Sequence, residues 1–158
     1  MNAEKKHIKW KPLLGFLALT LGTGGLAAFL TRNGVKSYAT MAQPPYAPPD
    51  WVFPVVWSIL YALMAVSAYR VTRSGRHRTA MTLFGCQLAV NFFWSLIFFN
   101  LNAFWAAFYW LLLLVALVVA MIAAFARIDR PAALLQLPYL LWCGFAAVLC
   151  RAVALLNP

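Results

Sequence analysis

The chain has 158 residues, of which 65% are hydrophobic and 10% charged, and its formal net charge is +10. A soluble domain is nearer half apolar and a quarter charged, so this composition excludes an ordinary soluble protein and indicates a chain surrounded by lipid. The basic residues lie between the apolar blocks rather than along one helix face, which favours roles in membrane topology and lipid contact and argues against nucleic-acid binding.

Five apolar blocks follow one another along the chain, each close to the ~20 residues that cross a ~30 Å hydrocarbon core. Unpaired backbone groups are costly in lipid, so each block is predicted to be helical. We therefore predict an all-α integral membrane protein that is a bundle of five transmembrane helices. The approximate bounds of the predicted helices are 13–30, 51–69, 79–100, 104–126 and 132–156.

The blocks divide the chain into a basic tail, 1–12, and a single membrane domain, 13–158. The longest connection, 31–50, contains four prolines. Proline fixes φ and restrains the preceding residue, so this connection is predicted to be stiff and extended. Long ordered loops are more often lids or binding elements than connectors, and we interpret this one as a lid over a ligand site.

Lys and Arg are distributed unequally between alternate connections. The N-terminal tail and the connections at 70–78 and 127–130 carry most of them. The positive-inside rule therefore predicts a multi-pass protein whose N-terminus is cytoplasmic, if the host is an inner or plasma membrane. The opposite side carries only Arg32, Lys36 and Arg151.

The residues needed for several common chemistries are not found at mid-membrane. Asp50 and Asp129 are predicted at interfaces, and His7 and His77 lie in basic flanks, which argues against a proton-coupled transporter. The sequence has no Ser/His/Asp set, metal-ligand spacing or glycine-rich phosphate loop. We therefore expect no metal site and no conventional enzyme.

Aromatic residues are abundant, with seven Trp, six Tyr and twelve Phe. In a membrane bundle such residues usually serve packing alone, but some of them recur every three or four residues on one helix face. Amides at mid-membrane need partners, so Gln87 and Asn91 should face the bundle interior, where a ligand carbonyl can meet them. Together these features predict a pocket for a large, flat, hydrophobic ligand. The aromatic positions concerned are Trp57, Tyr61, Trp94, Tyr139, Trp142 and Phe145.

The stretch PPYAPPDWVFPVVWSILYALM, 44–64, resembles the loop and second helix of the TspO/MBR family, the tryptophan-rich sensory proteins and translocator proteins. The segments 87–99 and 137–149 resemble its third and fifth helices, so the resemblance covers nearly the whole chain. It implies a five-helix bundle, often homodimeric, with a cavity beneath the first loop. It also implies binding of protoporphyrin IX and haem as ligands rather than as prosthetic groups, so no cofactor is expected.

The resemblance also implies roles for individual residues. The paired tryptophans to which light- and oxygen-dependent degradation of protoporphyrin is attributed in some members match Trp57 and Trp142. The family's ligand-contacting amide matches Asn91, and its loop tyrosine matches Tyr38. The full predicted ligand site is Tyr38, Pro44, Trp57, Tyr61, Asn91, Trp94, Trp142 and Phe145.

Three functions remain open at this point. The first is a membrane receptor or carrier for porphyrin-like tetrapyrroles, with a regulatory or transport role in tetrapyrrole or stress response. The second is the light-dependent degradation of protoporphyrin IX, and the third is a scaffold whose aromatic residues serve packing and dimer contacts. The expected partners are a tetrapyrrole, the bilayer and a second copy of the chain. Sterol binding is not expected, because Arg151 aligns with the tyrosine of the family's proposed cholesterol pattern.

Overall fold

A computed structural model describes residues 8–74 and 77–157. These residues form five segments that are long and apolar enough to cross a membrane, so the predicted all-helical five-span architecture is confirmed. Residues 1–7 of the predicted tail, which include His7, lie outside the described residues, as do Arg76 and Pro158. The elements are α1 (Trp10–Tyr38), α2 (Val52–Thr72), α3 (Arg78–Ser95), a π-helix (Leu96–Asn100), α4 (Phe104–Ala126), α5 (Arg130–Leu134) and α6 (Leu137–Leu156).

The first helix is longer than predicted at both ends. It begins at Trp10, within the predicted tail, and continues to Tyr38, so the first part of the predicted loop 31–50 is wrong. Residues 31–38 contain no proline, and a helix whose backbone hydrogen bonds are internal can continue beyond the hydrocarbon. The connection is therefore 39–51, which retains all four prolines.

The fifth span is two helices rather than the single predicted helix. Pro131 and Pro138 lie in the first turns of α5 and α6, where the missing N–H of proline costs little but the preceding residue is disfavoured in a helix. Asp129 caps α5 by accepting from the Ala132 backbone N–H at 2.8 Å. The same carboxylate pairs with Arg70 at 3.1 Å, which ties the end of α2 to this turn.

The basic connections lie at one end of the bundle. The Lys9 backbone N–H donates to the Tyr69 hydroxyl at 2.8 Å, which places the start of α1 beside the end of α2. The Arg70–Asp129 pair brings the turn before α5 to the same end. The charge asymmetry is therefore present in three dimensions, while the cytoplasmic position of the N-terminus stays a prediction.

The third span ends in a π-helix, in which the Leu101 backbone N–H donates to the Leu96 carbonyl at 3.1 Å. Asn102 follows with φ of 51°, a left-handed conformation that asparagine adopts more readily than most residues. The π-helix lies against α1 so closely that a Cβ atom at Gly34 would clash with the Phe99 carbonyl. The Asn100 side chain also donates to the Leu30 carbonyl at 3.1 Å, so the outer half of α1 is fixed to the π-helix.

Helix α1 is the least buried span. Of its 29 residues only Thr20, Ala27, Thr31 and Tyr38 are buried. Its main polar link to the bundle at mid-membrane is the Thr20 hydroxyl, which donates to the Tyr61 carbonyl of α2 at 2.9 Å. Many of the exposed side chains of α1 are large and apolar, as expected for a surface in lipid, and most of the packed core lies among the other four spans.

The contact between α1 and the π-helix predicts opposite effects for two glycine substitutions. Gly34→Ala should lower the free energy of unfolding by about 1–3 kcal/mol, because the new Cβ meets backbone that cannot rotate away. Gly22→Ala is the matched control in the same helix, with no atom within 4 Å of the new Cβ, and should be neutral or stabilising by up to ~1 kcal/mol. Thermal denaturation in detergent measures both. Equal melting temperatures for the two variants would contradict the close contact.

Candidate ligand-binding cavity

A cavity of about 620 Å³ lies between α1, α2 and the end of the third span. This volume falls within the roughly 300–1,000 Å³ typical of small-molecule sites. The α1 wall is built from small residues, among them Gly24, Gly25 and Ala28, whereas the facing wall is built from rings of α2 and the third span. Small residues opposite large rings leave space where two helices would otherwise interdigitate.

The aromatic wall is anchored where α1 and α2 approach most closely. A Cβ atom at Gly24 would clash with the Tyr61 ring, so only glycine allows this ring its place. The Trp57 and Tyr61 rings follow each other one turn apart, with centroids 5.5 Å apart and an interplanar angle of 30°. Together they form a continuous ring surface along α2 for a flat ligand to contact.

Four of the eight predicted site residues line this cavity: Tyr38, Trp57, Tyr61 and Trp94. Trp142 does not line it. Trp142 and Trp57 instead both line a space of about 20 Å³ deeper in the bundle. The ring of Phe53, which borders both spaces, lies 5.9 Å from the Trp142 ring. The two tryptophans thus approach one interior region, but only Trp57 faces the large cavity.

Phe145 and Pro44 lie away from the cavity. Phe145 lines a shallow groove between α2 and α6, beside Leu141, which is 74% exposed. It continues the stripe of Trp142, and the two ring centroids are 5.5 Å apart. Pro44 is buried within the connection 39–51. The helical spacing placed Phe145 on the correct stripe, but that stripe turns outward along α6.

Asn91 belongs to a buried polar cluster next to the aromatic wall. Its amide Nδ2 donates to the Tyr139 hydroxyl at 3.0 Å, and that hydroxyl donates to Gln87 Oε1 at 2.8 Å. All three side chains are at most 1% exposed, so the amides face the interior as expected. Asn91 Oδ1 and Gln87 Nε2 have no partner among the described residues. Asn91 does not line the cavity, and its contact with a ligand stays a prediction.

The cluster supports the cavity through Tyr139. The Tyr139 ring contacts the Trp57 ring edge-on, with centroids 6.2 Å apart. The hydroxyl bonds of Tyr139 fix its ring, and the ring in turn limits the orientations of Trp57. The polar cluster therefore positions one wall of the cavity without forming its surface.

Sequence reasoning missed the charged mouth of the cavity. Arg32 and Lys36 of α1 and Asp50 of the connection all line it. The signal was present, because Arg32 and Lys36 are four residues apart and share a face once α1 continues past Leu30. The prediction that α1 ends at Leu30 concealed it.

The chemical resources of the cavity suit binding. Within residues 8–74 and 77–157, no group of three or more His, Cys, Asp or Glu side chains could hold a metal ion. The cavity offers ring faces and a charged mouth. These groups can recognise a ligand, but they form no acid–base pair inside the hydrocarbon region.

Comparison with known proteins gives a consistent result. The model of the TspO/MBR family matches residues 16–156. The chain is 36% identical to the tryptophan-rich protein TspO of Chlorobaculum tepidum, over 90% of this chain and 92% of that protein. It is 33% identical to the translocator protein of Ovis aries, over 89% and 86% of the two chains. It is 32% identical to the tryptophan-rich sensory protein of Cereibacter sphaeroides, over 86% and 85%.

The buried cluster predicts the effect of removing one hydroxyl. Tyr139→Phe leaves the partner atoms of Gln87 and Asn91 unpaired in the core, so the free energy of unfolding should fall by about 1–2 kcal/mol. Tyr109→Phe is the matched control, because Tyr109 is 64% exposed, and it should change little. The melting temperature in detergent measures both, and a Tyr139→Phe variant as stable as the parent would contradict the cluster.

Proposed function

This chain belongs to the TspO/MBR family, and from that premise we propose that it is a membrane receptor or carrier for porphyrin-like tetrapyrroles such as protoporphyrin IX and haem. The observation that carries the proposal is the ring-lined cavity of about 620 Å³ within the membrane-spanning bundle. Relatives named translocator protein and tryptophan-rich sensory protein support a role in transport or sensing. As such a receptor or carrier, the protein would have a regulatory or transport role in the response of the cell to tetrapyrroles or to stress.

The form of the cavity supports a flat ligand. Trp57 and Tyr61 give a ring surface on α2, and Trp94 and Phe99 add rings from the third span. Aromatic side chains bury large areas and favour offset stacking or edge contacts with other ring systems. A tetrapyrrole macrocycle is a large, rigid ring system of this type, so it loses little conformational entropy on binding.

The position of the cavity supports access from the bilayer. Its α1 wall includes Gly25 and Ala28, which are exposed at the surface that faces lipid. A hydrophobic tetrapyrrole partitions into membranes and can therefore reach the cavity without crossing water. This arrangement suits a receptor or carrier. The homodimer that the resemblance implies stays a prediction.

Filling the cavity should prevent binding. Gly25 lines it and has no atom within 4 Å of a new Cβ, so Gly25→Phe should occupy space that the ligand needs without disturbing the fold. Gly22→Phe is the matched control, since Gly22 is equally open but does not line the cavity. Protoporphyrin IX should quench the intrinsic fluorescence of the parent and of Gly22→Phe, and Gly25→Phe should bind at least about tenfold more weakly.

The same titration distinguishes binding from a scaffold. At about 100 times its dissociation constant, protoporphyrin IX should stabilise the native protein by ~2.7 kcal/mol and raise the melting temperature. A scaffold would show neither quenching nor a shift. Loss of binding in both glycine variants would contradict the assignment of the ligand to this cavity.

A second candidate function is light- and oxygen-dependent degradation of protoporphyrin IX. The observation that favours it is the position of Trp57 on the cavity wall, with Trp142 near the same interior space. In that reaction dioxygen is the oxidant: an indole donates one electron to the photoexcited ring, the ring passes it to dioxygen to give superoxide, and the indole radical cation recovers an electron from the macrocycle, which is thereby oxidised. This chemistry requires neither a metal nor an acid–base pair.

Illumination in the presence of protoporphyrin IX tests this second function. A product with a new absorption band should form with the parent, should be lost in Trp57→Phe, and should also be lost in Trp142→Phe if both indoles take part. Trp105→Phe is the control, because Trp105 is 44% exposed and lines none of the cavities described above. Equal product from all three variants would mean ordinary photobleaching.

A further inference from the structure

The mouth of the cavity carries two cations and one carboxylate. Arg32 and Lys36 extend from successive turns of α1, and Asp50 lies in the connection 39–51. The only salt bridge among the described residues joins Arg70 to Asp129, so none of these three charges has an ion-pair partner there. The Arg32 guanidinium lies 4.5 Å from the centroid of the Phe29 ring, which restricts its orientations.

Tyr38 and Trp94 also line this cavity. The Tyr38 hydroxyl and the Trp94 indole N–H have no hydrogen-bond partner among the described residues. Their side chains are only 5% and 7% exposed. Both polar atoms have almost no accessible surface, so the rings of these residues, and not the two donors, face the cavity.

The polarity of the cavity therefore changes along its length. Rings line the part of the cavity between α1 and α2, and the two cations and Asp50 line the part nearest the connection 39–51. An apolar molecule without charge would leave the two cations without a counter-charge. A ligand with a flat apolar body and acidic groups at one edge matches both parts of the cavity.

We propose that Arg32 and Lys36 form an anion subsite that binds the carboxylates of a tetrapyrrole diacid, and that the negative charge of Asp50, which lines the same cavity, opposes this binding. The proposal rests on the function proposed above and specifies the ligand class of the same cavity. The guanidinium of Arg32 offers a planar fork that matches a carboxylate, and the ammonium of Lys36 supplies a second point charge one turn away.

Basic side chains near a membrane surface also contact lipid phosphates, and Arg151 provides the comparison for that role. The Asn157 side chain donates to the Ala42 carbonyl at 2.9 Å, which places the end of α6 beside the connection 39–51. Arg151 is thus an exposed cation on the same side of the bundle, but it does not line the cavity. A general attraction of anions to this side would involve Arg151 as well as Arg32 and Lys36.

Protoporphyrin IX and its dimethyl ester are the probes, because they share one macrocycle and differ in the two carboxylates. In neutral detergent at low salt, the parent should bind the diacid roughly five- to twentyfold more tightly than the ester, as expected for two solvent-exposed ion pairs. In the Arg32→Gln/Lys36→Gln variant this ratio should fall to about two or less, with affinity for the ester unchanged. Arg151→Gln should keep the parent's ratio, and added salt should reduce it.

Substitution of Asp50 should act in the opposite direction. Asp50→Asn removes the opposing negative charge, so binding of the diacid should tighten about two- to fivefold while binding of the ester stays constant. A variant that is merely misfolded would lose affinity for both probes. Unchanged or weaker binding of the diacid by Asp50→Asn would overturn the role of Asp50.

The outcomes separate the two proposals. If the parent binds neither probe, the proposed function fails. If it binds both equally, or if the double variant keeps the preference for the diacid, the anion subsite is refuted and the aromatic cavity stands. Native mass spectrometry with phosphatidylglycerol tests the lipid alternative. If the double variant loses this lipid but keeps its diacid preference, the anion at the mouth is a lipid head group and the assignment is overturned.

Discussion

The whole structure depends on the cost of leaving a polar group unpaired inside a lipid bilayer. Helical spans satisfy the backbone, and side-chain hydroxyls satisfy most of what remains: Ser67 donates to the Ala132 carbonyl at 2.6 Å, and Thr20 does the same for Tyr61. Among the described residues, six buried side-chain atoms are exceptions to this rule, in Tyr38, Gln87, Asn91, Trp94 and Gln136. All six are buried in the packed interior, which leaves the large cavity lined mainly by rings and small apolar residues.

The cavity results from a mismatch in side-chain size between neighbouring helices. Glycine and alanine on α1 oppose rings on α2 and the third span, while Gly24 and Gly34 allow contact at two levels along α1. Between these levels the helices cannot fill the space. The π-helix contributes because its extra residue widens the turn that carries Phe99 toward α1. The close contacts at Gly24 and Gly34 and the cavity between them therefore both result from this difference in side-chain size.

The number and approximate positions of the spans followed from the length of the apolar blocks, because hydrocarbon thickness fixes that length. The convergence of Tyr38, Trp57 and Trp94 followed from family resemblance combined with helical spacing. The end of α1 was predicted wrongly, since hydrophobicity reports where a helix leaves lipid rather than where it stops. The outward position of Phe145 was equally hidden, because periodicity groups residues into a stripe without indicating which neighbour the stripe meets.

Because few residues of α1 are buried, the stability of the fold and access to the cavity depend on different parts of the bundle. Most of the packed core belongs to the other spans, so an outward movement of α1 would leave that core intact, although it would break the contacts of α1 with α2 and the π-helix. Such a movement of α1 would widen the cavity toward the bilayer while the remaining helices stay packed together. Lipids that bind α1 more or less tightly would then set how often the cavity opens, so bilayer composition would affect access to the cavity.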